Sequence, residues 1–204
     1  MTVYDLSKNI VYGFHHAAFH EANDRWSACG GAVYYLGSNG LDGKLKRSDH
    51  DANGGHRGLP PPTFAVRYDE VQSGTIDHVL KIAVPRTKCR HVFPMTGDEC
   101  GTFKKFAPPE GTRIRIKPTV DLSTLDLSSE AMTIARALQT YGAIIGDQSG
   151  GPVSLKLENV VAEGRGYLWD GLLVADSLAS IPLDSFEVVK LGFDPTTNLG
   201  NQSP

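Results

Sequence analysis

The sequence predicts a mainly β domain, a two-sheet β-sandwich or jelly roll carrying one substantial α-helix over about residues 128–141. Three observations lead there. Glycine (22) and proline (12) interrupt the chain every few residues, which favours short strands joined by turns over long helices. The runs between them are brief and either alternate or are wholly apolar. Only one window, Ser128–Tyr141, repeats apolar residues at spacings of three and four.

Residues 2–14 read as a hairpin turning at Ser7–Asn9, with the run Ile10–Val11–Tyr12–Gly13–Phe14 as its second arm. Trp26 to Leu36 reads as one further strand around CGGAVYYL. Residues 37–63 form a long polar connection; irregular segments of that length are usually functional or partly disordered. Three prolines at 60–62 stiffen its exit. Asp69 and Glu70 fall in a short polar segment ended by Gly74, and Thr75–Val84 reads as extended chain with His78 inside it. Arg113–Lys117 alternates cleanly, placing Ile114 and Ile116 on one face. The helix opens on Ser128 as N-cap, with Glu130 in the first turn where the dipole favours an anion. Ala131, Ile134, Ala135, Leu138 and Tyr141 form its apolar stripe, and Gly142 is placed to stop it. Ala143–Ile145 follows as a short buried strand leading to Asp147. Val153–Leu157 and Phe186–Val189 are further strands. The whole is expected to be one domain over 1–195 with a flexible tail from 196.

Composition excludes several classes. At 204 residues the chain can bury a substantial core. A net charge of −3 gives no electrostatic case for nucleic acid or for an anionic membrane. No stretch approaches the roughly 20 apolar residues of a membrane span. The N-terminus lacks the basic and apolar regions of a signal peptide and enters a strand pattern at once, as expected of a mature form or of a fragment missing an upstream part. Cys89 and Cys100 bracket a short loop containing Pro94 and Gly97, which a disulfide closes with reasonable geometry in an oxidising compartment; reduced thiols are the alternative. Cys29 is then left over, to pair with missing upstream chain or stay buried. No CxxC pair is present, so no zinc site is expected. The absence of GxSxG, Walker and GxGxxG patterns argues against an esterase-type nucleophile and against a nucleotide cofactor; none is expected.

WSACGGAVYYLGSNGL carries a tryptophan, a small-residue strand and an S-N turn. GLPPPTFAVRYDEVQSGTIDHVLKIAVP carries R-Y-D-E-V followed by G-x-I-x-H-x-L. ALQTYGAIIGDQSG carries A-L-x-x-Y-G-x-x-x-x-D. In this order, and over most of residues 11–160, the three segments resemble a family of uncharacterised, mostly secreted bacterial proteins. The resemblance implies an extracellular location and, by association with carbohydrate-binding modules, a glycan context. The chain departs from the family pattern at Val79, where alanine commonly follows the histidine, and matches it weakly over 160–182.

Asp69, Glu70 and Asp147 are the carboxylates with which a glycosidase could work, one protonated and one ionised. His78 could abstract a proton as in a polysaccharide lyase, with Tyr141 as the matching acid. Each has a bland reading beside it. Asp69 and Glu70 could cap a helical turn, Asp147 could form a turn, and His78 could be a histidine hydrogen-bonded through both nitrogens. Trp26, Tyr68, Tyr167 and Trp169 could stack on sugar faces or simply fill a core; in GYLWDG, Tyr167 and Trp169 share one face if the segment is extended. His15 and His16 point to opposite faces of a strand and so cannot serve one ion. Asp49, His50, Asp51 and His56 read as loop polarity, and no metal site is expected.

These readings support a secreted carbohydrate-active protein, either a hydrolase or lyase built on Glu70, Asp147 and His78, or a non-catalytic glycan-binding domain. A self-associating surface protein that exchanges an N-terminal edge strand is the third reading. An enzyme requires at least two of Glu70, His78 and Asp147 within about 10 Å. A binder requires an open aromatic surface, with those groups consumed in structural bonds.

Overall fold

A computed structural model describes residues 1–35, 59, 63–95, 97–160 and 164–189. The long polar connection over 36–58, the three prolines and the C-terminal tail lie outside the described residues, and so do Asp49, His50, Asp51 and His56.

Strands β1 (Thr2–Asp5) and β2 (Ile10–His15) form the expected hairpin, with Thr2 opposite Gly13 and Asn9 in the left-handed region that closes the turn. The segment expected to be one strand from Trp26 is divided. β3 (Ala18–His20) and β4 (Arg25–Ser27) make a separate two-stranded ribbon, and β5 (Gly30–Tyr35) pairs with β2 instead. The N-terminal sheet therefore runs β1-β2-β5, with Val11 and Tyr34 buried between its residues.

The principal layer is built later in the chain. After helix α1 (Tyr68–Ser73) come β6 (Leu80–Val84), β7 (Lys88–His91), β8 (Pro109–Glu110) and β9 (Arg113–Ile116). Helix α2 (Ser129–Thr140), β10 (Ala143–Gln148), β11 (Ser154–Leu155) and β12 (Phe186–Val188) complete it. Five of these strands form one mixed sheet in the order β11-β6-β10-β9-β12. β6 and β10 run parallel, and every other neighbouring pair is antiparallel. β7 and β8 pair on their own.

α2 is the expected helix. The Ser128 hydroxyl accepts from the Ala131 N–H at 3.1 Å, capping one of the donors its first turn leaves open. Ala131, Ile134, Ala135 and Leu138 are buried against Leu80, Ile82, Ile116, Ala143 and Ile145. Gly142 ends it at φ 74°, where an added Cβ would collide with the Ile114 carbonyl oxygen. The opposite face of the sheet carries Ile144, which packs with Leu59 and Met95. All five residues of β6 are buried, as expected of a strand covered on both sides. Among them is Lys81, 2 % exposed, lying along Gly146 where a side chain would strike its Cε at 2.8 Å. Strands thus dominate alongside one substantial helix, in several sheets. The described residues do not establish a two-sheet sandwich or jelly roll: the main core lies between a mixed sheet and a helix.

Candidate functional site

The polar segment R-Y-D-E-V becomes a helix because its residues suit a helix start. Arg67 is extended (φ −96°, ψ 148°) at the N-cap, and Asp69 and Glu70 occupy the first turn, where the dipole favours anions. The Glu70 carboxylate reaches back to accept from the Arg67 backbone N–H at 3.2 Å, one half of a capping box. It also pairs with the Arg67 guanidinium. Gly74, at φ 78°, ends α1 after six residues.

His78 lies two residues before β6 begins, and not inside an extended run as the sequence pattern implied. Its Nδ1 faces the Val79 carbonyl oxygen at 2.9 Å and its Nε2 faces Glu70 Oε2 at 3.1 Å. Both partners only accept, so both bonds form together only on a ring carrying both N–H groups. Glu70, 11 % exposed at its side chain, therefore receives the Arg67 backbone, the Arg67 guanidinium and His78 at once. Asp69 is turned outward, 82 % exposed, with its Oδ1 taking the Glu70 N–H at 2.9 Å.

Asp147 lies on a different element. The strand expected over Ala143–Ile145 continues to Gln148, so Asp147 belongs to β10 beyond a register shift and faces Ala83 in β6. Asp147 accepts from the Gln148 N–H at 3.0 Å and pairs with Lys156 at 3.1 Å. Tyr141 caps the C-terminus of α2, and its hydroxyl donates to Asp77 Oδ1 at 3.3 Å, not to His78. Glu70 and His78 are thus brought together, and Asp69 flanks them.

The aromatic candidates divide likewise. Tyr68, the first residue of α1, meets Trp169 edge to face, with ring centroids 5.5 Å apart at 87°. Glu158 ties the two: its carboxylate accepts from the Tyr68 N–H at 3.0 Å and its carbonyl from Trp169 Nε1 at 3.2 Å. Tyr167 does not share a face with Trp169, because Gly166–Trp169 is a 3₁₀ turn and not a strand; Tyr167 stands 66 % exposed while Trp169 packs on the main core. Trp26 lies on the β3–β4 ribbon beside Phe19, at 5.2 Å between centroids.

Three residues of this locality were not singled out in the sequence. Arg67 could have been found from its three-residue spacing to Glu70. Glu158 and Tyr4 carry no such signal, since only the fold brings them to α1. Burial holds the Tyr4 phenol above its ordinary value; the Arg67 cation opposes that rise and the Glu158 anion adds to it. Tyr4, Arg67, Tyr68, Glu158 and Trp169 accordingly form one locality at the start of α1. It brings together aromatic rings, a guanidinium and a carboxylate.

Cys89 and Cys100 are joined in a disulfide, and Cys29 is a free, exposed thiol, contrary to burial. Asp98 lies close to both bridged sulfurs, but sulfurs bonded to each other do not serve as thiolate ligands. His16 has φ 49°, which turns its ring onto that of His15 at 4.2 Å instead of to the opposite face. Among the described residues no helix is long and apolar enough to cross a membrane. A scan against protein-family models, a search of curated proteins and a search of solved structures each find no match to the chain.

Proposed function

We propose that the chain is an extracellular glycan-binding domain that takes sugar at the start of α1, on Tyr4, Arg67, Tyr68 and Trp169. The observation that carries this reading is the Tyr68–Trp169 corner, set beside a guanidinium that is 39 % exposed at its side chain. Ring faces pack on sugar C–H groups as on other apolar surface, and a forked donor suits hydroxyl or carboxylate oxygens. The disulfide supports an oxidising, extracellular location. Kinship with the secreted bacterial family is part of the same proposal, since R-Y-D-E-V supplies Arg67 and Tyr68.

The bonding of the polar residues favours binding over cleavage. Glu70 is occupied by three donors, His78 by two acceptors and Asp147 by a lysine. A hydrolase or lyase keeps one observation in its favour, the 3.1 Å contact between His78 and Glu70, which is the spacing of a proton-transfer pair.

A panel of plant and microbial polysaccharides distinguishes the two, scored for retention, for new reducing ends and for unsaturated uronates. Retention without cleavage, lost in Tyr4→Ala and Tyr68→Ala variants that keep the wild-type circular dichroism, is the expected result. Cleavage abolished by Glu70→Gln would replace the binder with an enzyme. No retention on any member of the panel would overturn the glycan reading.

A further inference from the structure

The loop that follows the disulfide carries a second surface, unrelated to the start of α1. Phe103 and Phe106 are 82 % and 92 % exposed, and the two residues between them are lysines. Phenylalanine is rarely left in water to that degree, and here two stand on one turn. The turn itself is well defined. The Ala107 N–H donates to the Lys104 carbonyl at 3.2 Å, the Lys104 N–H to the Thr102 hydroxyl at 3.3 Å, and the Lys105 ammonium lies 5.7 Å from the Phe106 ring.

Its base is clamped. Cys89 donates its N–H to Thr102 at 2.8 Å, Lys88 donates to Pro108 at 2.8 Å, and the Cys89–Cys100 disulfide ties β7 to the start of the loop. Arg86, Lys88 and Arg90 lie at that base, the two arginines exposed. The acids of the same stretch are engaged: Asp98 with His91 at 3.0 Å and the Cys100 N–H at 3.0 Å, Glu99 with the Gln148 N–H at 3.0 Å. Residues 86–106 thus hold five lysines and arginines against two acids, a local excess that the whole-chain charge of −3 conceals.

We propose that this loop docks on the surface of an anionic phospholipid bilayer, with Phe103 and Phe106 entering the acyl boundary and the basic residues meeting the headgroups. The order of chemistry fits that partner. Phenylalanines form the apex, lysines flank them with stems long enough to keep their charges in the headgroup layer, and a basic collar stands at the base. A projecting apex with rings facing outward is buried by a medium that flows around it, which a soluble polyanion is not. The clamp adds preorganisation, so little loop freedom is lost on docking.

The test is co-sedimentation of the full chain with phosphatidylcholine vesicles, with and without phosphatidylglycerol, beside a soluble acidic polysaccharide. Binding is expected to the phosphatidylglycerol vesicles alone and to fall as salt rises. The double variant Phe103→Ser, Phe106→Ser should weaken it at least about tenfold, since burial of one phenylalanine already accounts for such a factor. Lys104→Ala with Lys105→Ala should weaken it and flatten the salt dependence. In a Phe106→Trp variant the fluorescence should shift to the blue on the anionic vesicles. No vesicle binding, binding unaffected by the phenylalanine changes in folded protein, or capture by the soluble polyanion without vesicles would each overturn the proposal.

Discussion

Replacing Glu70 by glutamine tests whether this carboxylate serves the fold or the chemistry. The two side chains share a shape, but glutamine offers one accepting oxygen and an NH2 donor. With the oxygen placed as Oε2, it still meets the Arg67 N–H and His78 Nε2, at 3.2 and 3.1 Å in the wild type. Both bonds then lose their anionic acceptor, a loss of about 1 kcal/mol each. The new NH2 faces the Arg67 guanidinium, which is 39 % exposed and can turn to water, so that conflict adds at most about 1 kcal/mol. The expected destabilisation is about 2–3 kcal/mol, or a fall of about 4–12 °C in Tm for a domain of this size. Urea melts at neutral pH, followed by circular dichroism, measure it. A double-mutant cycle with His78→Ala should return a coupling of about 1 kcal/mol. Stability unchanged within about 0.5 kcal/mol, together with loss of saccharide binding or of a newly found cleavage, would refute the reasoning and make Glu70 a chemical group.

Three further outcomes follow from the geometry. Gly142→Ala should cost more than about 2 kcal/mol, because an L-residue is disfavoured at φ 74° and its Cβ meets the Ile114 carbonyl; a melt indistinguishable from wild type would sink that account. Opening the disulfide with Cys89→Ser and Cys100→Ser should lower stability by about 3 kcal/mol on chain-entropy grounds for a separation of 11 residues, and a loss below about 1 kcal/mol in chemical denaturation would contradict it. The Ser7 hydroxyl, ahead of Lys8, holds the Asp5 carboxyl down to about 2, so Ser7→Ala should raise its midpoint in an NMR titration. The folded value lies below the ordinary 3.8, so the contribution of this group is present above that pH and lost as pH falls towards about 2. A midpoint unmoved in the variant would rule the hydroxyl out as its cause.

What could be read from the sequence was local. Ser128, the stripe from Ala131 to Leu138 and Gly142 define α2 because a helix encodes its cap, face and stop within a few residues. Alternation placed Ile114 and Ile116 together on the core side, and the first hairpin turned where Asn9 permits it. The misreadings arose where short segments fit two periods. Residues 166–169 are too brief for periodicity to separate a turn of helix from extended chain, which moved Tyr167 away from Trp169, and the run expected from Thr75 becomes strand only at Leu80, which leaves His78 outside it. The pairing of parallel β6 and β10 could not be seen locally, and with it went the position of Asp147, opposite Ala83 in β6. Glu70 and His78 lie near one another in sequence, whereas Glu158, which accepts from the Tyr68 N–H, and Tyr4, which feels the Arg67 charge, arrive from distant chain and leave no mark near Arg67.

The order of β6 in its sheet also has a consequence during synthesis. Both neighbours of this wholly buried strand, β10 and β11, are made after it, beginning about 60 residues later. At ribosomal speeds of about 5–20 residues per second, the apolar run Leu80–Val84 waits roughly 3–12 s for a partner strand. Its edges meanwhile offer unpaired backbone groups to any other nascent or misfolded chain. Lys81, second in that run, places one ammonium within it, where it opposes such pairing until β10 arrives and closes over it.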